Sequence, residues 1–188
     1  MADLDEQLFN LCSMRTGNVE AVKQLLQNPH INPNWSWSYG WTPLYNACYY
    51  RMTEVVDLLF NDERVDVNAM DGNGKTPLFL ACSMGYIEIV ENMLASRRKV
   101  SLNMGNRNES IVDLAREREL KIEIDNWESV DEFQERKKIY QSITRLLESF
   151  EKDPVETRMK LRVKLGLAGK ISFLFSIQIP FNSFLICK

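Results

Sequence analysis

The sequence predicts an all-α repeat solenoid of helix-turn-helix units with projecting β-hairpin fingers. The heptapeptide TPLYNAC at 42–48 returns as TPLFLAC at 76–82, and the motifs VEAV, TEVV and IEIV begin at 19, 53 and 87. Both patterns keep a spacing of 34 residues. A unit of this length cannot bury its own apolar face, so neighbouring units must stack around one shared core.

The first helix of each unit is predicted to begin at a Thr-Pro dipeptide. Thr42 and Thr76 can each offer a hydroxyl to a free backbone amide. Pro43 and Pro77 suit a first helical turn, where no amide donor is needed.

The second helix is indicated by apolar residues at helical spacing in three successive units. These residues are Val22, Leu25, Leu26, Val56, Leu59, Phe60, Val90, Met93 and Leu94. The dipeptides Asp71-Gly72 and Asn73-Gly74 then supply the positive φ that a tight hairpin needs.

The succession of Thr-Pro-Leu-x-x-Ala, Gly-x-x-Glu-Ile-Val and Val-x-Val-Asn-Ala-x-Asp-x-x-Gly resembles the ankyrin repeat. The resemblance is strongest over residues 40–105. It implies one domain at 1–150, with units at about 4–39, 40–73, 74–107 and 108–150.

The chain departs from the family pattern at three positions. Tyr45 and Phe79 stand where the family usually has a His bonded back to the Thr. Phe79 cannot make that bond, so its turn must depend more on packing. Arg51 replaces the glycine that closes the first helix, and we expect a cost in stability if Arg51 adopts the left-handed conformation.

The last unit has a charged stretch where its second helix should follow. Either an insertion lies near 116–130, or the first helix extends over 113–121. Ser129 and Glu132 then resemble a capping box that opens the late second helix. A short amphipathic basic helix is predicted at 151–166.

The segment 167–188 is an apolar tail whose nature the sequence leaves open. Residues 171–187 carry no charge and are near the minimum length of a spanning helix, while their alternation of Ile and Phe is typical of a strand. Membrane attachment through 171–187 is a possible interpretation, but it is not the favoured one.

Composition argues against several classes of function. The formal net charge of −3 does not suit a broad nucleic-acid interface. Cys12, Cys48 and Cys82 are interpreted as small core residues, since there is no Cys-x-x-Cys motif and His30 is the only histidine. Reduced thiols and an acidic N-terminus without an apolar core favour a cytoplasmic protein, with the nucleus left open.

The sequence shows no constellation typical of catalysis. His30 lies in a predicted loop, and the glycines after Asp71 belong to a hairpin turn without the strand, helix and Lys of a phosphate-binding loop. We therefore predict no enzymatic activity, no catalytic residues, no metal site and no cofactor.

The resemblance implies a partner-binding surface on the hairpin fingers and first helices. The candidate residues are Trp35, Trp37, Tyr39, Trp41, Tyr49, Tyr50, Lys75, Ser83 and Met84. An aromatic residue at every second place of 35–41 would put four rings on one face of an extended segment, although a hairpin tip breaks this alternation. The rings could instead pack the hairpin against the first unit, or form a cage for methyl-lysine.

The sequence thus predicts a monomeric protein–protein interaction module that binds another protein through its concave face and fingers. Two alternatives stay open. One is a membrane-attached adaptor that uses the apolar tail, and the other is a structural spacer or truncated gene product with no specific partner.

Overall fold

The computed structural model describes residues 4–14, 18–104, 109–123, 125 and 128–167. Within these ranges the chain is an array of antiparallel helix pairs, so the predicted all-α repeat fold is confirmed. No helix in the described part of the chain is long and apolar enough to cross a membrane. The apolar stretch 171–187 lies outside the described residues.

The elements follow each other as pairs, with a final helix at the end. The helices are α1 Leu4–Cys12, α2 Val19–Leu26, α3 Pro43–Tyr49, α4 Thr53–Asn61, α5 Pro77–Ser83, α6 Ile87–Ala95, α7 Ile111–Lys121, α8 Val130–Lys152 and α9 Pro154–Lys164. The first helices α1, α3, α5 and α7 pack in one row, and the second helices α2, α4, α6 and α8 pack in another. Strands β1 Asn103–Met104 and β2 Glu109–Ser110 pair antiparallel.

The predicted helix starts are confirmed. The Thr42 hydroxyl accepts a hydrogen bond from the Tyr45 amide at 3.2 Å, and the Thr76 hydroxyl accepts one from the Phe79 amide at the same distance. A proline occupies the first turn of both α3 and α5. The same local chemistry therefore starts both helices in the same way.

The ends of α3 and α5 differ because one is closed by Arg51 and the other by Gly85. Arg51 has φ 55°, and Gly85 has φ 72°. Arg51 thus adopts the left-handed conformation, which is the condition under which we expect a cost in stability from its Cβ atom. The Arg51 guanidinium lies 5.4 Å from the centroid of the Tyr86 ring.

The core lies between the two rows of helices, and its residues recur with the unit. Val22, Val56 and Val90 are fully buried in successive second helices. Cys48 and Cys82 are also buried, as their interpretation as core residues predicts. Burial raises the pKa values of both thiols, because the thiolate would lose its hydration.

Polar side chains link each unit to the next along the loops. Asn34 donates to the Arg64 carbonyl oxygen at 2.7 Å and accepts from the Asp66 amide at 2.6 Å. Asn68 repeats this arrangement, since it donates to the Lys99 carbonyl oxygen at 2.8 Å and accepts from the next unit's backbone. These bonds satisfy loop backbone groups that no helix or strand pairs.

Arginines one unit apart add a second set of links. Arg64 donates to the carbonyl oxygens of Leu26 and Asn28 at 2.6 and 2.9 Å. Arg98 donates to the carbonyl oxygens of Asp62 and Val65 at 2.7 and 2.6 Å. The interfaces between units therefore share both an apolar core and a polar edge.

The last unit differs most from the others. Helix α7 continues to Lys121, which is the second of the two arrangements considered for this stretch. Helix α8 then runs for 23 residues from the predicted capping box, in which Ser129 and Glu132 bond each other's backbone amides. Helix α9 follows where a short amphipathic helix is predicted, and it packs on α6 and α8.

Candidate partner-binding surface

Finger one at 35–41 and finger two at 69–75 connect successive units, and strands β1 and β2 lie at the equivalent place one unit later. In finger one, the Trp37 amide donates to the Trp41 carbonyl oxygen at 3.3 Å. In finger two, the Asp71 amide donates to the Lys75 carbonyl oxygen at 2.9 Å. The two fingers thus share a backbone framework at positions 34 residues apart.

The fingers also contact each other through their backbones. The Gly72 amide donates to the Tyr39 carbonyl oxygen at 2.6 Å. A Cβ atom at Gly40 would lie 3.1 Å from the Met70 carbonyl oxygen, so a side chain there would crowd finger two. Gly40 also has φ 73°, a conformation that favours glycine.

The aromatic residues of finger one divide into two groups. Trp35 and Trp37 pack on Phe9 of α1, with ring centroids 5.4 and 6.4 Å from the Phe9 ring. Trp41 instead packs on Tyr45 and Tyr49 of α3, at 5.4 and 5.6 Å. The four rings do not share one face, because the tight turn at the finger tip breaks the alternation.

The outer rings of this region are open to solvent. Tyr39 is 79% exposed, Trp37 54% and Tyr49 41%. Tyr39 also has φ 73°, which is uncommon for a residue with a side chain. Trp35 and Trp41 are half-buried, and they pack against the rings of Trp37 and Tyr49, respectively, each at 5.6 Å.

A buried hydrogen bond fixes finger two to α3. The Tyr45 hydroxyl donates to Asp71 Oδ2 at 3.0 Å, and the Asp71 side chain is almost completely buried. Burial and the neighbouring Asp71 charge raise the pKa of Tyr45, since both oppose a phenolate there. Tyr45 therefore bonds the Asp71 carboxylate of finger two, where the family's His bonds back to the Thr at the start of the helix.

A family model described as ankyrin repeats (3 copies) matches residues 9–105. The chain belongs to the ankyrin repeat family. No match was found among the curated proteins with which the chain was compared. Ankyrin repeats are generally protein–protein interaction modules and are typically not enzymes.

The other predicted site residues lie where the ankyrin array continues beyond finger one. The Lys75 Nζ atom lies 5.4 Å from the centroid of the Phe79 ring. Ser83 donates to the Leu80 carbonyl oxygen at 2.9 Å, and Met84 is exposed at the end of α5. Tyr50 is half-buried, with its ring 5.1 Å from that of Tyr49.

Two exposed methionines extend the apolar surface beyond the predicted site residues. Met14 follows α1, and Met70 lies in finger two. The repeat register could have indicated Met14, because it aligns with Met84 in the matching segments 8–14 and 78–84. The exposed large apolar residues of the fingers and first-helix ends are here called the finger face. They are Met14, Trp37, Tyr39, Tyr49, Met70 and Met84.

A separate cavity of about 440 Å³ lies between α5, α7 and α8 of the ankyrin array. Its lining mixes apolar residues with charged residues of both signs. No group of three or more His, Cys, Asp or Glu residues that could hold a metal ion occurs in the part of the chain that the structure describes.

Proposed function

We propose that this protein is a monomeric interaction module that binds a protein partner through the finger face. The observation that carries the proposal is the exposure of the Trp37, Tyr39 and Tyr49 rings on a framework that other contacts already fix. Trp and Tyr supply large contact areas at a low entropic cost, which makes them common anchors of protein interfaces.

The rings are not required to close a hairpin of this kind. Finger two closes with the same backbone bond and a buried Asp71 in place of Trp37. A polar residue at position 37 could therefore satisfy the fold without exposing indole surface. The aromatic choice supports a role in binding, since exposed Trp and Tyr rings are common anchors of protein interfaces.

We assign the predicted residues two different roles, which their exposure supports. Trp37, Tyr39 and Tyr49 are the proposed contact residues, whereas Trp35 and Trp41 are the proposed supports. Because Trp41 packs against the core, replacing it would disturb the fold as well as the surface. The fixed backbone reduces the entropy lost on association.

We also propose a reducing compartment, and specifically the cytoplasm, as the site of action. Cys12, Cys48 and Cys82 are free thiols in the described structure. Burial raises the pKa of the Cys12 thiol to about 12, so it stays protonated and unreactive.

The test is affinity capture from native lysate with the full chain and with a Trp37→Ala, Tyr39→Ala double variant. The matched control is Met159→Ala, Val163→Ala, which removes exposed apolar side chains from α9 instead. We expect the finger variant to lose its specific partner and the control to retain it, with both folded by circular dichroism. Equal capture by both variants would refute the finger face as the site, and an absence of any partner would favour the spacer interpretation.

A further inference from the structure

The first half of α8 extends beyond the length of the regular second helices and is here called the overhang. It forms one wall of a cavity. Helices α4 and α6 have 9 residues each, whereas α8 has 23. The additional length brings Tyr140 over the end of α5, where its hydroxyl donates to the Ser83 carbonyl oxygen at 3.0 Å. The cavity of about 440 Å³ opens beneath this contact, and most of its lining residues follow the end of the family match at residue 105.

Polar contacts hold the overhang in place. Arg136 Nε donates to Glu128 at 2.8 Å, and its Nη2 atom lies 3.3 Å from Asp125 and 2.9 Å from the Glu123 carbonyl oxygen. The capping box at Ser129 fixes the start of the helix. The cavity wall is therefore preorganised.

The cavity has an apolar floor with cations at one side. Phe79 and Leu114 line it from α5 and α7, together with the Tyr140 ring. Arg118 lies over the Tyr140 ring at 5.6 Å, and Lys75 lies over the Phe79 ring at 5.4 Å. Each cation stands beside an aromatic ring that lines the same space.

Arg118 lines the cavity from α7, and Lys75 lies beside the Phe79 ring that lines it. Neither cation has a carboxylate partner among the described residues, whereas Lys121 pairs with Glu117, and Arg136 pairs with Glu128 and Asp125. Glu123 also lines the cavity, and its carbonyl oxygen accepts from Arg136. Two cations without a carboxylate partner thus lie next to the apolar surface of the cavity.

We propose that this cavity binds an acidic, apolar peptide segment of a protein partner. An aromatic or branched side chain of the segment would occupy the floor, and a neighbouring carboxylate would bind Arg118 and Lys75. The volume is that of an ordinary ligand site. A guanidinium held over a ring keeps its N–H edge available for a carboxylate. This inference rests on the proposed binding function and adds the chemistry of one partner segment.

The test measures fluorescence anisotropy of the full chain with three pools of fluorescein-labelled peptides. In the first pool Phe and Leu alternate with Asp and Glu, in the second with Lys and Arg, and in the third Ser replaces Phe and Leu beside the acidic residues. We expect binding of the first pool alone, and weaker binding at high salt. Equal binding of the basic pool, equal binding of the Ser pool or no binding would overturn the inference.

Matched variants locate the binding. We expect Arg118→Gln to weaken binding of the first pool about tenfold, because it removes a charge-assisted hydrogen bond, and Lys75→Gln to weaken it less. Arg145→Gln makes the same change at an exposed position of α8, outside the cavity lining, and should leave binding within about twofold. Equal losses in Arg118→Gln and Arg145→Gln would overturn the assigned site.

The two proposals fail separately. If the peptides do not bind while capture still depends on Trp37 and Tyr39, the finger face stands and the cavity inference falls. If the peptides bind through Arg118 while the finger variant captures the same partner as the unmodified chain, the cavity stands and the finger face falls.

Discussion

The two fingers have the same backbone framework but are stabilised by different side chains. In finger two, Asp71 Oδ1 accepts hydrogen bonds from the amides of Asn73 and Lys75 at 2.9 and 2.8 Å, while its Oδ2 atom accepts from Tyr45. In finger one, the equivalent residue Trp37 packs on Phe9 and remains half-exposed. One finger is closed by internal hydrogen bonds, and the other is supported by aromatic packing.

This difference distinguishes the features of the fingers that the fold requires from those that only change the surface. Backbone bonds and glycine turns are common to both fingers, so they belong to the repeat. The buried Asp71 carboxylate accepts three hydrogen bonds from groups within the array, so finger two is stabilised without any further contact. Finger one leaves apolar area for another molecule to cover.

Replacing the two equivalent residues should give the largest effect. Asp71→Ala leaves the Tyr45 hydroxyl and two amides without their acceptor, so we expect a loss of about 3 kcal/mol in the free energy of unfolding. Trp37→Ala removes a half-exposed ring, and we expect a loss of about 1 kcal/mol. Denaturant unfolding measures both, and equal losses would contradict the proposed difference between the fingers.

The contact between Tyr45 and Asp71 can be tested alone. Tyr45→Phe keeps the ring and removes the donor to a buried carboxylate, so we expect a loss of about 2 kcal/mol in unfolding free energy. Tyr49→Phe is the control, because it makes the same chemical change on an exposed ring of α3. A similar loss in both variants would show that the hydroxyl contact with Asp71 contributes little.

Tyr39 should affect stability and binding in opposite directions. Tyr39→Gly removes a side chain from a residue with φ 73°, and we expect a gain of about 0.5–1 kcal/mol in unfolding free energy. The same change should weaken capture of the partner, because the most exposed ring of finger one is lost. Tyr39→Asn should have the same two effects, because asparagine tolerates this backbone conformation. A variant that loses stability would refute the strain at this position.

We expect the smallest effect on stability from replacing Asp57, because its carboxylate accepts hydrogen bonds from fewer donors than that of Asp71. Among the residues that the structure describes, its side chain accepts from Asn92, at 3.0 and 3.1 Å. Burial raises the pKa of Asp57, and the charges of Glu88 and Glu54 add to this, while the Asn92 bond lowers it.

A raised pKa means that the folded chain retains the Asp57 proton at a pH where the unfolded chain has released it. The ionised form therefore reduces stability as the pH rises through the pKa of the folded state. Asp57→Asn should increase the unfolding free energy near neutral pH, and the gain should vanish near about pH 3. A gain that does not change with pH would exclude ionisation as its cause.

The regular part of this fold could be predicted because its causes are local and recur. The caps at Thr42 and Thr76, the core valines and the left-handed Arg51 all follow from sequence register. The candidate site could be predicted as a region, since three tryptophans at 35–41 are unusual in a turn. The assignment of individual residues to partner contact stays a prediction.

The remaining features depend on residues that are distant in sequence. The division of the rings requires Phe9, which precedes finger one by a whole helix pair, and Tyr45 reaches Asp71 across 26 residues. The cavity needs α7 to extend and α8 to return over Ser83. Local patterns could suggest either an insertion or a longer helix, and tertiary packing decides between them.

The matching bonds of Asn34 and Asn68, and of Arg64 and Arg98, also bear on how such a gene can change. Successive interfaces use the same residue types with closely related backbone partners, so an in-frame duplication or deletion of 34 residues would join surfaces of similar design. Recombination can thus alter the length of the array in one event. The long α8 has no counterpart of its length among the described helices.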